Sequence, residues 1–424
     1  MGPGLRRDCA TACRIACTLA AGLLLAGCGL MPRANHPPAY SARLPAEPYP
    51  KIEPAAVASL SAAMNQTVAQ RAPTRGAVAD PDGPSGRARP LNVLSVGAGG
   101  AYCPFAAGAL VGWTKSGNRP AFDIVTGTSS GALVGAYAFL GPKYDDRLET
   151  LFTTLGTADL FDLRPAGYLW RDGALASPHP LEQRLERVFN DEFMADLRAA
   201  HAQGRRLFIG TTNFDTKRLV VWDVGAIISS DDPGAPMLVR KIFLASTTWP
   251  GLLPPVEFTV QAKNGEWRRE RHIDGGAAAQ TFVRFGPMDG WSGSGDPAPG
   301  WLTGSNLYLL SCGKLYHSPN PAPTRFIGRV LSGVACLTDS LSRADMSRLY
   351  TFCATSGMKF HLLPMPQDYV GADQSILELN PQTLRQLFDL GQRMTAAGVP
   401  WRLTPPDVEP GEEDPPRGAM RDER

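Results

Sequence analysis

Residues 91–96 form a near-continuous apolar run of the kind that fills a strand buried on both faces. A glycine-rich turn follows, then an apolar helical stretch over 105–116. A second apolar run at 122–126 leads into a small-residue helix over 130–140. This strand–helix–strand–helix order predicts an α/β fold with a mostly parallel central sheet. Downstream, 207–212 and 218–224 read as strands joined by a turn at 213–217, and 271–273, 307–311 and 359–363 as further strands. Residues 381–397 read as a helix, and no internal repeat is found.

Composition changes this picture mainly at the ends. Apolar residues make up 43% of the 424-residue chain, enough for a sizeable core, while charged residues make up 19%. The net charge of +2 is carried by Arg6, Arg7 and Arg14 against Asp8, so the remainder is neutral. A neutral body argues against nucleic-acid binding and against electrostatic docking on anionic lipid. Residues 28–88 are rich in Pro, Ala and Gly and are expected to form a tether with one helix-like patch at 54–70. A globular domain is expected over 89–405, and a disordered tail rich in Pro, Glu, Asp and Arg over 406–424.

Residues 1–27 combine a charged start with the short apolar run 15–26, too short to span a bilayer stably. The run ends in Leu25-Ala26-Gly27-Cys28, which resembles the lipobox of bacterial lipoproteins. The resemblance implies a signal peptide over 1–27 and a lipid anchor on Cys28, with Gly29 in place of aspartate pointing to the outer membrane of the cell envelope. The competing reading is a plain secretory signal with an incidental cysteine. Beyond the leader, Cys103, Cys312, Cys336 and Cys353 are expected to be buried free thiols, with one or two disulfides as the alternative. No spacing of cysteines or histidines points to a metal.

Three segments carry candidate chemistry. Gly127-Thr128-Ser129-Ser130-Gly131 follows a strand-like run and opens a helix, the context a nucleophile elbow requires. Taken alone it also fits an ordinary strand-to-helix turn with Ser129 as cap. Val96-Gly97-Ala98-Gly99-Gly100-Ala101 presents backbone N–H groups that suit an oxyanion or a phosphate. Tyr102 stands where a dinucleotide fingerprint needs its third glycine, which argues against a Rossmann site. Ile273-Asp274-Gly275-Gly276 puts a carboxylate at a strand end beside two glycines, a pattern shared with solvated turns. His272 would share the strand face of Asp274 and is an alternative base; His317 and His361 have no motif around them. Residues 250–255, Pro-Gly-Leu-Leu-Pro-Pro, form either an apolar lip over the site or a structural loop.

In this order the three segments resemble the patatin-like phospholipases. Further stretches agree with an exported bacterial branch of that family: residues 112–120 with Phe122-Asp123, 139–142, 210–213 with 220–223, and 244–246 with Pro250-Gly251 and Pro254-Pro255. The resemblance covers about 88–405 and implies a three-layer α/β fold with a serine–aspartate dyad. Ser129 would be the nucleophile and Asp274 the general base. Ala98, Gly99 and Gly100 would form the oxyanion hole, Gly127 and Gly131 would flank the elbow, and Gly275 and Gly276 would complete the Asp-Gly-Gly motif. The implied activity is acyl ester hydrolysis of the phospholipase or lysophospholipase type in lipid degradation, with a lipid substrate and no cofactor or metal. The sequence departs from the family at the turn, where Ala98 replaces a glycine, Tyr102 a basic or polar residue and Cys103 the last glycine. That departure keeps a second function open, a weak or inactive lipid-binding envelope lipoprotein on the same fold. A Ser–Asp–His esterase using His317 is the third.

Overall fold

The computed structural model describes residues 90–165, 174–261, 266–283, 302–316, 326–369, 379–409 and 412. All of these belong to one compact unit, Tyr49–Arg424. Cys28, the patch at 54–70 and His317 lie outside the described residues.

The main sheet has eight strands: β1 (Asn92–Val96), β2 (Ile124–Thr128), β5 (Arg206–Asn213), β6 (Arg218–Asp223), β7 (Val256–Gln261), β8 (Trp267–Asp274), β9 (Asn306–Leu310) and β10 (Lys359–Leu363). A separate two-stranded ribbon pairs β3 (Asp162–Leu163) with β4 (Ala176–Ser177). The order across the main sheet is β10-β9-β1-β2-β5-β8-β7, with β6 also on β5. The five strands from β10 to β5 are parallel, and β6, β7 and β8 are antiparallel additions. The expected mostly parallel sheet is therefore present.

Side chains alternate across this sheet, as a period of two requires. Leu94, Val96, Val125, Leu207 and Ile209 enter one core. Val93, Ile124 and Phe208 enter a second core on the opposite face. Helices α1 (Cys103–Lys115), α2 (Ser130–Leu140), α3 (Asp145–Thr153), α5 (Asp191–Ala202) and α7 (Ala235–Ser246) fill the first. The second is closed by the C-terminal half of the 31-residue helix α8 (Phe326–Ser356), through Met346, Leu349 and Cys353. The product is the three-layer arrangement that a sheet with two apolar faces demands. Two short helices, α4 (His179–Val188) and α6 (Val224–Ile228), complete the periphery of the first layer.

Helix α9 (Pro381–Thr395) crosses α1 at glycines. A β-carbon on Gly108 would lie 1.9 Å from the Phe388 carbonyl oxygen, and one on Gly391 2.1 Å from that of Phe105. The crossing is therefore possible only for glycine on both sides. Thr395 Oγ1 donates to the Ala109 carbonyl at 2.8 Å and fixes the register. The chain remains packed past the point where a tail was expected to begin. Pro405 and Pro406 are buried, and Tyr316 Oη donates to Asp407 Oδ1 at 2.9 Å.

The free thiols expected for Cys103 and Cys312 are a correction: the two form a disulfide, with Cα atoms 4.5 Å apart. The cause is topological. Strands β1 and β9 are parallel neighbours, with Val96 opposite Leu310, so the residues just beyond their ends converge. A separation of 209 residues hides this from the sequence. Cys353 is a buried free thiol, as expected, whereas Cys336 is exposed.

Candidate active site

Strand β2 runs through Gly127 to Thr128, which pairs with Gly210, so Ser129 is the first residue off the strand. Its φ of 56° lies in the left-handed region, which a serine seldom adopts, and α2 begins at the next residue. This is the sharp strand–turn–helix geometry of an elbow, with backbone strain concentrated at the residue it presents. Gly131 makes the turn possible: a β-carbon there would sit 2.2 Å from the Gly97 carbonyl oxygen.

Asp274 arrives from the opposite direction. It ends β8 and pairs with Thr211, the next residue of β5 after Gly210. Both β2 and β8 lie across β5 from β6, so they share one edge of β5 and meet end to end. The meeting point brings Ser129 Oγ to 2.6 Å from Asp274 Oδ2, with the hydroxyl donating. Asp274 Oδ1 accepts from the Gly276 N–H at 2.7 Å. The Asp274 backbone is held on both sides, its N–H by the Thr248 carbonyl at 2.8 Å and its carbonyl by Thr212 Oγ1 at 2.9 Å. Gly275 allows the close passage against β5, where a β-carbon would lie 2.3 Å from the Gly210 carbonyl oxygen.

Ser129 is 9% and Asp274 7% exposed. Burial pushes the Asp274 carboxyl up to about 6, against the opposing pull of the Ser129 hydroxyl and the Gly276 N–H. A carboxylate in that range is matched to proton transfer near neutral pH.

The glycine-rich turn lies beside the elbow. The Gly97 N–H donates to Leu310 and the Ala98 N–H to the Gln280 carbonyl, at 3.0 and 2.9 Å. Ala98 is thus engaged within the protein, which leaves Gly99 and Gly100 as the stronger candidates for the oxyanion hole. Gly100 has φ +51°, and a β-carbon there would meet nothing within 4 Å, so the turn borders open space. The disulfide anchors the turn from behind: a β-carbon on Gly99 would lie 2.1 Å from Cys312 Cβ. Ser130 Oγ donates to Cys103 Sγ at 3.0 Å, linking the elbow to the same bridge.

His272 is fully buried and faces away from this pair. Its Nδ1 is 2.8 Å from Thr211 Oγ1 and its Nε2 3.2 Å from Glu270 Oε2. The candidate role as an alternative base is corrected: in an extended strand His272 and Asp274 share a face, but the strand ends at Asp274, which turns toward Ser129. His361 stacks on Tyr308 at 4.9 Å and belongs to that aromatic cluster. In the 250–255 loop, Leu252 and Leu253 are buried with Phe161 and Ala176, which makes the loop a satellite core and not an open lip.

Sequence reading missed four groups that hold the pair. Ser246 Oγ accepts the Ser129 N–H at 3.0 Å and donates to the Gly210 carbonyl at 2.8 Å. Thr248 and Thr212 fix Asp274, as above. Gln280 bridges the glycine-rich turn and β2, its carbonyl also accepting from Thr128 Oγ1 at 2.7 Å. Two of them had a signal, Thr212 in the Gly210-Thr211-Thr212-Asn213 stretch and Ser246 in the Leu244-Ala245-Ser246 stretch.

The parallel sheet, the elbow and the buried carboxylate define an α/β protein with a serine–aspartate pair at the meeting of two strand ends. Residues 94–285 match the patatin-like phospholipase family model. Among solved structures, VipD from Legionella pneumophila is 11% identical, with 73% of this chain and 68% of that chain covered and a TM-score of 0.30. The type III effector protein ExoU is 14% identical, with 73% of this chain covered and a TM-score of 0.33; the match spans about half, 52%, of that chain. The complex of SpcU with ExoU from Pseudomonas aeruginosa gives 16% identity over 37% of this chain and 39% of that one, with a TM-score of 0.22. No curated protein matches the sequence.

Proposed function

We propose that the chain is a lipid acyl ester hydrolase of the phospholipase or lysophospholipase type, anchored in the bacterial envelope through lipid on Cys28, with the outer membrane as its site. The observation that carries the reading is the 2.6 Å hydrogen bond from Ser129 Oγ to Asp274 Oδ2 in a buried setting. Ser129 Oγ attacks the ester carbonyl as its proton passes to Asp274 Oδ2. The tetrahedral oxyanion is met by N–H groups of Gly99 and Gly100, each contributing roughly 3–4 kcal/mol. The carbon–oxygen bond to the leaving alcohol then breaks, and Asp274 returns the proton to that alcohol. In the second half Asp274 takes a proton from water, the hydroxide attacks the acyl-serine, the acyl carbon–Oγ bond breaks to release the fatty acid, and Asp274 returns the proton to Ser129 Oγ. No cofactor enters the scheme.

The test is active-site labelling of the protein by a fluorophosphonate, followed by hydrolysis of phospholipid and lysophospholipid in vesicles. Labelling of the parent chain, and its loss in Ser129→Ala and Asp274→Asn, supports the reading. Folded parent chain that takes no label would sink it and favour a lipid-binding lipoprotein on the same fold. Radiolabelled palmitate incorporation lost in Cys28→Ala tests the anchor.

A further inference from the structure

The segment after the Asp-Gly-Gly motif, residues 277–283, is laid across the C-terminal ends of β1 and β2. Hydroxyl side chains on one face of those strands bind it. Ser95 Oγ lies 2.6 Å from Thr281 Oγ1, Thr126 Oγ1 donates to the Phe282 carbonyl at 2.6 Å, and Thr128 Oγ1 donates to the Gln280 carbonyl at 2.7 Å. The Gln280 carbonyl also takes the Ala98 N–H at 2.9 Å, and Gln280 Nε2 donates to the Gly276 carbonyl at 2.7 Å. One residue, Gln280, therefore contacts the oxyanion turn, the residue before the nucleophile and the loop after the base.

This strap is held from its other side by a buried carboxylate. Asp345, on α8, is 1% exposed, and its Oδ2 accepts the N–H of Gln280 at 2.9 Å and, more distantly, that of Thr281 at 3.5 Å. Its Oδ1 takes an ion pair from Arg348 at 3.0 Å, on the solvent side. Asp345 lies outside the residues that match the family model. A buried carboxylate is costly unless its oxygens are filled, and here the filling groups are the backbone of the strap. The core alone would be served as well by an apolar residue in that place.

We propose that Asp345 is a positioning residue of the hydrolytic site: by fixing Gln280 and Thr281 it sets the glycine-rich turn relative to Ser129. It touches no reacting atom. Its contribution lies in the alignment of the oxyanion donors, where small displacements matter most. This inference rests on the hydrolase reading above.

The test compares Asp345→Asn with Asp345→Ala in the full chain purified in detergent. Asparagine retains an oxygen that accepts the two N–H groups; alanine does not. Turnover of a soluble nitrophenyl ester is expected to fall about 10- to 100-fold in Asp345→Ala with KM unchanged. Asp345→Asn is expected to recover most of the loss. Hydrogen exchange in the peptides containing Ala98 and Gln280 should accelerate in Asp345→Ala and stay slow in Asp345→Asn. Turnover of folded Asp345→Ala equal to the parent, or an equal loss in both variants that tracks their melting temperatures, would overturn the proposal. If the parent chain itself neither labels nor hydrolyses, the hydrolase reading fails on its own. Exchange at Ala98 then decides the positional role: acceleration in Asp345→Ala sustains it, and no change ends it.

Discussion

Thr128 and Asp274 occupy consecutive rungs on one edge of β5, Thr128 opposite Gly210 and Asp274 opposite Thr211, although they come from strands running in opposite directions. The nucleophile and its partner are therefore positioned by main-chain pairing before any side chain is considered. A strand that ends one residue early or late on either side would separate them. Main-chain registry of this kind is far stiffer than a loop, which suits the proposed two-residue site.

The Asp274 carboxyl sits at about 6 in the folded protein and at 3.8 when unperturbed, and this fixes the sign of two pH effects. As a base it must be ionised, so kcat/KM is expected to fall below about pH 6. For stability the direction is opposite. A raised value means that the folded state holds the proton more tightly, so the stabilisation is fully present below 3.8 and is lost as pH rises through about 6. Asp274→Asn removes the buried charge and is expected to stabilise the fold at pH 8 by about 1–3 kcal/mol, with little effect at pH 4. Thermal melts of both proteins at the two pH values check this; an equal shift at both would contradict it.

The glycines of the site are predicted to differ sharply. Gly131→Ala places a methyl group 2.2 Å from a backbone oxygen, so α2 must move away from the turn. A loss of about 2 kcal/mol or more and no labelling of Ser129 are expected. Gly100→Ala meets no atom within 4 Å and bears only the cost of φ +51°, about 1–2 kcal/mol. Denaturant titration of the two variants measures the contrast, and a larger loss at Gly100 would show that the turn is placed differently.

Reduction should act on both stability and site. The bridge from Cys103 to Cys312 closes a loop of 209 residues, for which about 5.4 kcal/mol is expected from chain entropy alone. Because it lies against Gly99, dithiothreitol or Cys312→Ser is expected to slow labelling of Ser129 as well as lower the melting temperature. Retention of the full labelling rate in a reduced, folded sample would separate the bridge from the site.

The histidines provide a fourth check. His272 is occupied by Thr211 and Glu270. His272→Gln and His317→Ala are each expected to leave labelling near the parent rate, whereas a true triad would lose about 10⁴-fold.

Much of this was legible in the sequence, for identifiable reasons. The buried strands 91–96 and 359–363 and the helix from Ser130 carry strong local patterns, and they appear within two residues of expectation. The serine and the aspartate were marked by glycines, whose positions report close backbone approach. Strand β2 was displaced because Gly127 has low strand propensity, yet it and Thr128 pair with β5. The roles of the site's supports were illegible. Ser246, Thr248, Gln280 and Asp345 are common polar residues whose importance arises only when distant segments meet. The same is true of Cys103 and Cys312.

The close glycine crossing between α1 and α9 has a consequence for how this domain is moved between proteins. Residues 94–285 match the family, yet they exclude β9, the parallel neighbour of β1, and the whole of α9. A fragment cut at those limits would leave the backbone of β1 unsatisfied on one side, and would bare Gly108 and Gly112, whose missing side chains offer solvent nothing but peptide. The unit fit for recombination, expression or grafting is therefore larger than its signature, and it closes only when the C-terminal helix has returned to the first.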